Sequence, residues 1–116
     1  MLHSTLSTLI RDYLIIYKLK EMKTVYKYTI GQIANSVTLS LPIGAQLLCV
    51  NLQRGIICLW AIVDTEEVQK EDVTVVCVGT GHPMDDHLDY KYLGTILVAN
   101  DALVLHYFTV RKAVDR

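Results

Sequence analysis

The sequence is poor in the residues that staple or tether small proteins. It has three cysteines, Cys49, Cys58 and Cys77, an odd number with no C-x-x-C spacing, which speaks against a disulfide framework and a zinc finger. All three fall in apolar, strand-like runs, so they are expected as small buried hydrophobes in a reducing compartment. Excess charge is also missing. A formal net charge of -1 argues against generic attachment to nucleic acid or an anionic membrane through a strongly basic surface. The apolar opening stretch is broken by Arg11 and Asp12, follows no basic residue and precedes no small-residue cleavage site. Neither a membrane span nor a signal peptide is expected, so export and membrane spanning both fall away. There is no internal repeat and no low-complexity stretch.

Apolar side chains, in contrast, are plentiful. Of 116 residues, 52% are hydrophobic and 20% charged, against about 45–50% and about 25% in average globular chains. The length allows one domain with one core, and the composition excludes disorder. The apolar surplus points to a self-association surface, and hence to a homo-oligomer. The near-zero net charge conceals a lopsided distribution. Between Asp64 and Asp89 lie eight of the twelve acids, with Lys70 as the one base. This pattern fits solvated loops, or an acidic face carried by Glu66, Glu67, Asp85, Asp86 and Asp89 for a basic partner.

Two patterns divide the chain. Over residues 1–21, Leu6, Leu9, Ile10, Tyr13, Leu14 and Tyr17 recur at helical spacing behind Ser4 or Thr5 as N-cap, which predicts an amphipathic helix. Met22 offers a second translation start where this pattern ends, so the helix is read as an extension of a β-domain over residues 22–110, with a tail at 111–116. From Thr24 the period is that of strands. Runs at 25–30, 36–41, 47–52, 56–63, 73–78, 92–98 and 103–110 give seven. The expected fold is all-β (or β-rich α+β), an antiparallel sandwich or small barrel. Gln53-Arg54-Gly55 reads as a three-residue hairpin loop, setting Leu52 opposite Ile56, Val50 opposite Cys58 and Leu48 opposite Trp60. That register points Cys49 and Cys58 to opposite faces. In the last hairpin Gly94 should face Tyr107, and Thr95 should face His106.

Chemistry-bearing side chains concentrate in Gly79-Thr80-Gly81-His82-Pro83-Met84-Asp85-Asp86-His87-Leu88-Asp89. His82, Asp85, Asp86 and His87 are the residue types that ligate divalent metals. The H-x-H-x-D-H run of metallo-β-lactamase-type hydrolases is nevertheless broken, because Met84 stands at its second histidine. Gly79 and Gly81 could turn backbone N–H groups toward a phosphate. Against this, no P-loop lysine follows and three carboxylates stand nearby. Pro83 fixes an extended or cis turn at His82. The cysteines sit in strands and no nucleophile-elbow pattern occurs, so no catalytic residue, metal or cofactor is assigned. Tyr26, Tyr28, Tyr90, Tyr92 and Tyr107 suit ordinary sheet packing better than base stacking beside acids.

Several runs occur together in order: Met22-Lys23-Thr24-Val25-Tyr26-Lys27-Tyr28, Cys58-Leu59-Trp60-Ala61-Ile62-Val63-Asp64, Gly79-Thr80-Gly81-His82-Pro83, Tyr92-Leu93-Gly94-Thr95 and Leu103-Val104-Leu105-His106-Tyr107-Phe108. Over Met22 to about Val110 the chain resembles a family of small tailed-bacteriophage proteins of unknown function. The resemblance implies a phage-encoded protein acting in the bacterial cytoplasm, and no activity. The expectation is therefore a non-enzymatic β-domain that binds a host protein or small ligand during infection, with counter-defence as its setting. Gly79, Gly81, His82, Asp85, Asp86, His87 and Trp60 are the candidate contact residues. The alternatives are a nucleotide-binding sponge and a metal-dependent hydrolase on the His82/Asp85/Asp86/His87 loop.

Overall fold

Alternation of apolar and polar residues along short runs, broken by Gly and Asn-Asp turns, leaves the chain no option but strands that share one buried face. The computed structural model describes residues 22–112, and all regular structure there is β. The helix expected over 1–21 lies outside the described residues. The strands are β1 (Lys23–Gly31), β2 (Ser36–Pro42), β3 (Gln46–Gln53), β4 (Ile56–Asp64), β5 (Lys70–Gly79), β6 (Leu88–Val98) and β7 (Leu103–Lys112). β7 thus runs two residues into the stretch expected as a tail. The strands form a three-stranded sheet, β1-β4-β3, and a four-stranded sheet, β2-β5-β7-β6. Every neighbouring pair is antiparallel. Both sheets are open, so the expected sandwich-or-barrel alternative resolves against the barrel.

The core fills the space between the sheets. Ile57, Leu59, Ala61 and Val63 of β4 meet Leu41 of β2, Val75 of β5, Ile96 of β6, and Leu105 and Tyr107 of β7, all buried. Central β4 is apolar on both faces, as its sequence predicts. Where β6 crosses β3 the backbones nearly touch. A Cβ built on Gly94 would lie 2.3 Å from the Val50 carbonyl oxygen.

The β3–β4 hairpin departs from expectation by one residue. Arg54 (φ 52°) and Gly55 (φ 76°) both lie in the left-handed region, so the connection is a two-residue turn whose twist matches that of the flanking strands. Gln53 then opposes Ile56, Leu52 opposes Ile57 and Val50 opposes Leu59. A bulge between Leu47 and Cys49 brings Cys49 opposite Trp60, and Asn51 opposite Cys58. Cross-strand partners share a face, so Cys49 and Cys58 both point away from the core, contrary to the expected opposition. Cys49 is exposed rather than buried, Cys77 is half-buried, and all three cysteines are free thiols. The strain at Arg54 is testable. Arg54→Asn, which tolerates a positive φ, should raise stability by about 0.5 kcal/mol, read as a higher denaturant midpoint with unchanged slope.

The last hairpin forms in the expected register, Gly94 opposite Tyr107 and Thr95 opposite His106. One consequence of the strand order was not visible in the sequence. β5 and β6 both pair antiparallel with β7, which lies between them, so β5 and β6 run parallel to each other. The chain leaving β5 at Gly79 must travel back along the sheet before β6 can begin at Leu88.

Candidate functional site

That return path is the His/Asp loop. Gly79 lies opposite Leu105 at one end of the four-stranded sheet, and Leu88 lies opposite Lys112 at the other. Residues 80–87 therefore cross the sheet's outer face as a strap. Its first turn is closed by the His82 N–H donating to the Gly79 carbonyl at 3.0 Å, with Gly81 at φ 85°, a position that suits glycine. The His82 ring folds back onto Gly79, where a Cβ would come within 2.9 Å of it. The Thr80 N–H donates to the Val104 carbonyl. Its hydroxyl meets His106 Nε2 at 2.8 Å, His106 Nδ1 meets Thr95 Oγ1 at 2.9 Å, and Thr95 Oγ1 meets the Tyr92 hydroxyl at 2.7 Å. The far end is tied to Tyr90, whose hydroxyl accepts the Asp85 N–H at 2.8 Å and donates to the Asp85 carbonyl at 3.0 Å. Tyr90 and Tyr92 both set their rings edge-on to Phe108.

These bonds fix what the loop's side chains can do. Asp85 Oδ1 accepts the His87 N–H at 2.7 Å, an Asx turn of the kind that often accounts for aspartates in loops. No cis peptide occurs among the described residues, so Pro83 supplies the extended turn rather than the cis one. Among the described residues no three His, Cys, Asp or Glu side chains gather into an arrangement that could hold a metal ion. The His82 ring lies against Gly79 at the start of the strap, His82 and Asp85 border one hollow, and Gly81, Asp86 and His87 are exposed along it without joining them. Trp60 is not among them: it lies half-buried on the outer face of the other sheet. Beneath the strap is a hollow of about 330 Å³, lined by Val76, Val78, His82, Pro83, Met84, Tyr90 and Asn35 among others.

The same topology gathers the acids. Asp64 pairs with Lys23 at the end of β4, and the turn through Glu66 and Glu67 leads directly into Glu71 and Asp72 of β5. The strap returns Asp85, Asp86 and Asp89 to that end, because Tyr90 lies opposite Val110 and Val110 lies opposite Thr74. Asp64 is occupied in holding the turn, its Oδ1 accepting the Met22 and Glu66 N–H groups. Glu66, Asp72 and Asp86 are exposed. Between the sheets at this open end is a cleft of about 610 Å³ with Leu47, Val73 and Thr109 along it and Glu71, Asp72, Lys91 and Arg111 at its rim. The Arg111–Asp89 pair beside it is loose, at 4.0 Å.

Residues 22–116 match the family described as Domain of unknown function (DUF7352). The chain belongs to that family. No curated protein and no solved structure matches this DUF7352 chain. Among its described residues no helix is long and apolar enough to cross a membrane. Of the cleft residues of the DUF7352 domain, Leu47 and Arg111 had no local signature, since Leu47 comes from the other sheet and Arg111 meets Asp89 only across the β6–β7 pair; Val73, Tyr90 and Lys91 follow an acid directly in the chain. For the strap the lone clue was the length of the loop, longer than antiparallel neighbours need.

Proposed function

We propose that this DUF7352 domain is a non-enzymatic binding module whose acidic open end receives a basic surface of a partner protein. In the fuller form of this reading it is a phage-encoded accessory protein, active as a homo-oligomer in the bacterial cytoplasm, and its partner is a host protein met during infection, with counter-defence as the setting. The observation that carries the reading is the convergence of both halves of the acidic segment, Glu66 to Asp72 and Asp85 to Asp89, on one end of the sandwich. The cleft rim is itself balanced, Glu71 and Asp72 against Lys91 and Arg111, so the long-range attraction comes from exposed carboxylates beside it such as Glu66 and Asp86, and the apolar part of the cleft takes the stems of the partner's lysines and arginines. An enzyme is disfavoured by the way the loop is used: Asp85 is engaged by backbone groups, and the His82 ring is packed on Gly79.

The test is capture from host lysate, followed by kinetics with the captured protein. Glu66→Lys, Glu67→Lys and Asp86→Lys together should slow association by about tenfold or more at low salt and flatten its salt dependence, with the far-ultraviolet dichroism unchanged. Equal association rates would eliminate the acidic end as the docking surface.

A second reading rests on the hollow beneath the strap, which falls within the ~300–1,000 Å³ range of small-ligand sites. A nucleotide sponge of this kind predicts thermal stabilisation by free nucleotide, an effect a protein-docking surface would not give.

A further inference from the structure

Each of the two open sheets has two edge strands, β1 and β3 in one, β2 and β6 in the other. β3 and β6 close on each other where Gly94 meets the Val50 carbonyl. β1 carries Lys23 and Lys27 and ends in a bulge between Thr29 and Gly31, the devices that keep sheet edges apart. β2 has neither. It holds no charged residue, pairs with β5 in unbroken register, and has no other strand beside it among the described residues. Hydrogen bonds just beyond its two ends fix which backbone groups point outward. The Cys77 N–H donates to the Asn35 carbonyl at 2.9 Å, and the Ile43 N–H donates to the Gln69 carbonyl at 3.0 Å. In an antiparallel ladder the backbone groups of alternate residues turn to opposite sides, so Val37, Leu39 and Leu41 bond β5. Ser36, Thr38 and Ser40 then aim their N–H and C=O groups at the open edge. Pro42, with no N–H to leave unpaired there and its carbonyl taking the Ala45 N–H at 3.1 Å, ends the run.

We propose that this edge is the interface between two copies of the chain, β2 pairing antiparallel with β2 of a second copy so that the two four-stranded sheets join into one continuous sheet. An open edge accepts any extended strand that fits it; here the side chains select a second β2. With the two-fold axis at Leu39, Thr38 meets Ser40 of the second copy, Val37 meets its Leu41, and Leu39 meets its own equivalent. Hydroxyls face hydroxyls on the outer side, apolar residues face apolar ones on the core side, and no like charges are opposed, all favourable across a strand pair. The core side also gains cover. Val37 and Leu39 are half-buried whereas Leu41 is fully buried, and a second β2 shields what the edge leaves open. The pairing gives an interface to the homo-oligomer of the proposed function and rests on no other part of that reading. Loss of the dimer would leave docking at the acidic end untouched, so the two can fail separately.

An edge pair buries less than the ~1,600 Å² of a standard interface, so the sedimenting mass of the full chain should double as its concentration is raised through about 100 µM. Amide hydrogen exchange reads the edge directly. The N–H groups of Ser36, Thr38 and Ser40 should exchange fast in dilute protein and about tenfold or more slowly in the dimer, whereas those of Val37, Leu39 and Leu41 stay protected throughout. Thr38→Lys with Ser40→Lys sets lysines opposite each other across the axis and should hold the chain monomeric, with the far-ultraviolet dichroism unchanged. Thr38→Pro removes an edge N–H without touching the β2–β5 ladder and should do the same. Tyr26→Lys, on β1, should leave the dimer intact. A monomer at every concentration overturns the proposal, and so does a dimer in which Ser36, Thr38 and Ser40 still exchange fast, which would seat the second copy elsewhere. Protection of these three amides in the dilute monomer overturns it as well, because the edge would then be covered from within the chain.

Discussion

Replacing Gly94 by alanine is expected to cost about 3 kcal/mol or more, among the larger effects a single methyl group can have. Two independent reasons coincide there. The added Cβ would sit 2.3 Å from the Val50 carbonyl oxygen and 3.3 Å from its carbonyl carbon, and both are backbone atoms that no rotamer change can move aside. The backbone at Gly94 also lies at φ 155°, a conformation that side chains rarely adopt. Relief requires β6 to lift from β3, which opens the inter-sheet core beside Leu93 and Ile96, both buried. A domain of this size changes its Tm by roughly 4–8 °C per kcal/mol, so the loss would be visible in a simple melt. Gly31→Ala and Gly44→Ala serve as comparisons: each has a positive φ but open space around the added carbon. They should cost only the conformational strain, about 1 kcal/mol each. If Gly94→Ala proved as mild as these two, the close crossing of β6 over β3 would be wrong.

What could be read in advance follows from the range of the forces involved. Strand positions were legible because alternation is a local property: Val37, Leu39 and Leu41 do face the core, and β4 is apolar on both sides as its composition demanded. The β6–β7 register was legible for a similar reason, since the turn near Asn100-Asp101 fixes both strands. The β3–β4 register was misread by one residue because arginine seldom takes a positive φ, and Arg54 does. That one residue put Val50 and Cys58, expected on one face, on opposite faces, and Cys49 and Cys58, expected on opposite faces, on the same one. Strand order was beyond local reading, because placing β7 between β5 and β6 depends on which edges find each other after collapse. The role of the His82–His87 loop depended wholly on that order. What the structure adds is mechanical: the strap has Gly81 at positive φ in its first turn, Pro83 in its extended middle and the Asp85 carboxylate tying its last turn through the His87 N–H.

Tyr107 should separate size from polarity more cleanly than any other core residue here. It is 2% exposed, and its hydroxyl is buried with no hydrogen-bond partner among the described residues. Across the strand pair it faces Cys77, whose thiol is too weak a partner to replace water. Tyr107→Phe therefore removes an unsatisfied polar group and keeps the ring, and stability should stay within about 1 kcal/mol or rise. Tyr107→Ala removes the ring and should cost about 3–5 kcal/mol, a large part of the ~5–15 kcal/mol that holds a typical domain together. Alkaline pH gives a second handle. Burial, with Cys77 adding to it, pushes the Tyr107 phenol well above its ordinary value of 10.0. The folded state then keeps a proton that the unfolded state releases, so this contribution is complete below about pH 10 and is lost as the pH rises beyond it. Tyr28, raised by burial and by Tyr26, acts in the same direction. Denaturant midpoints measured at neutral pH and again at about pH 10.5 should fall less in Tyr107→Phe than in the parent chain. A phenylalanine variant that lost 2 kcal/mol or more at neutral pH would show that the hydroxyl has a strong partner after all.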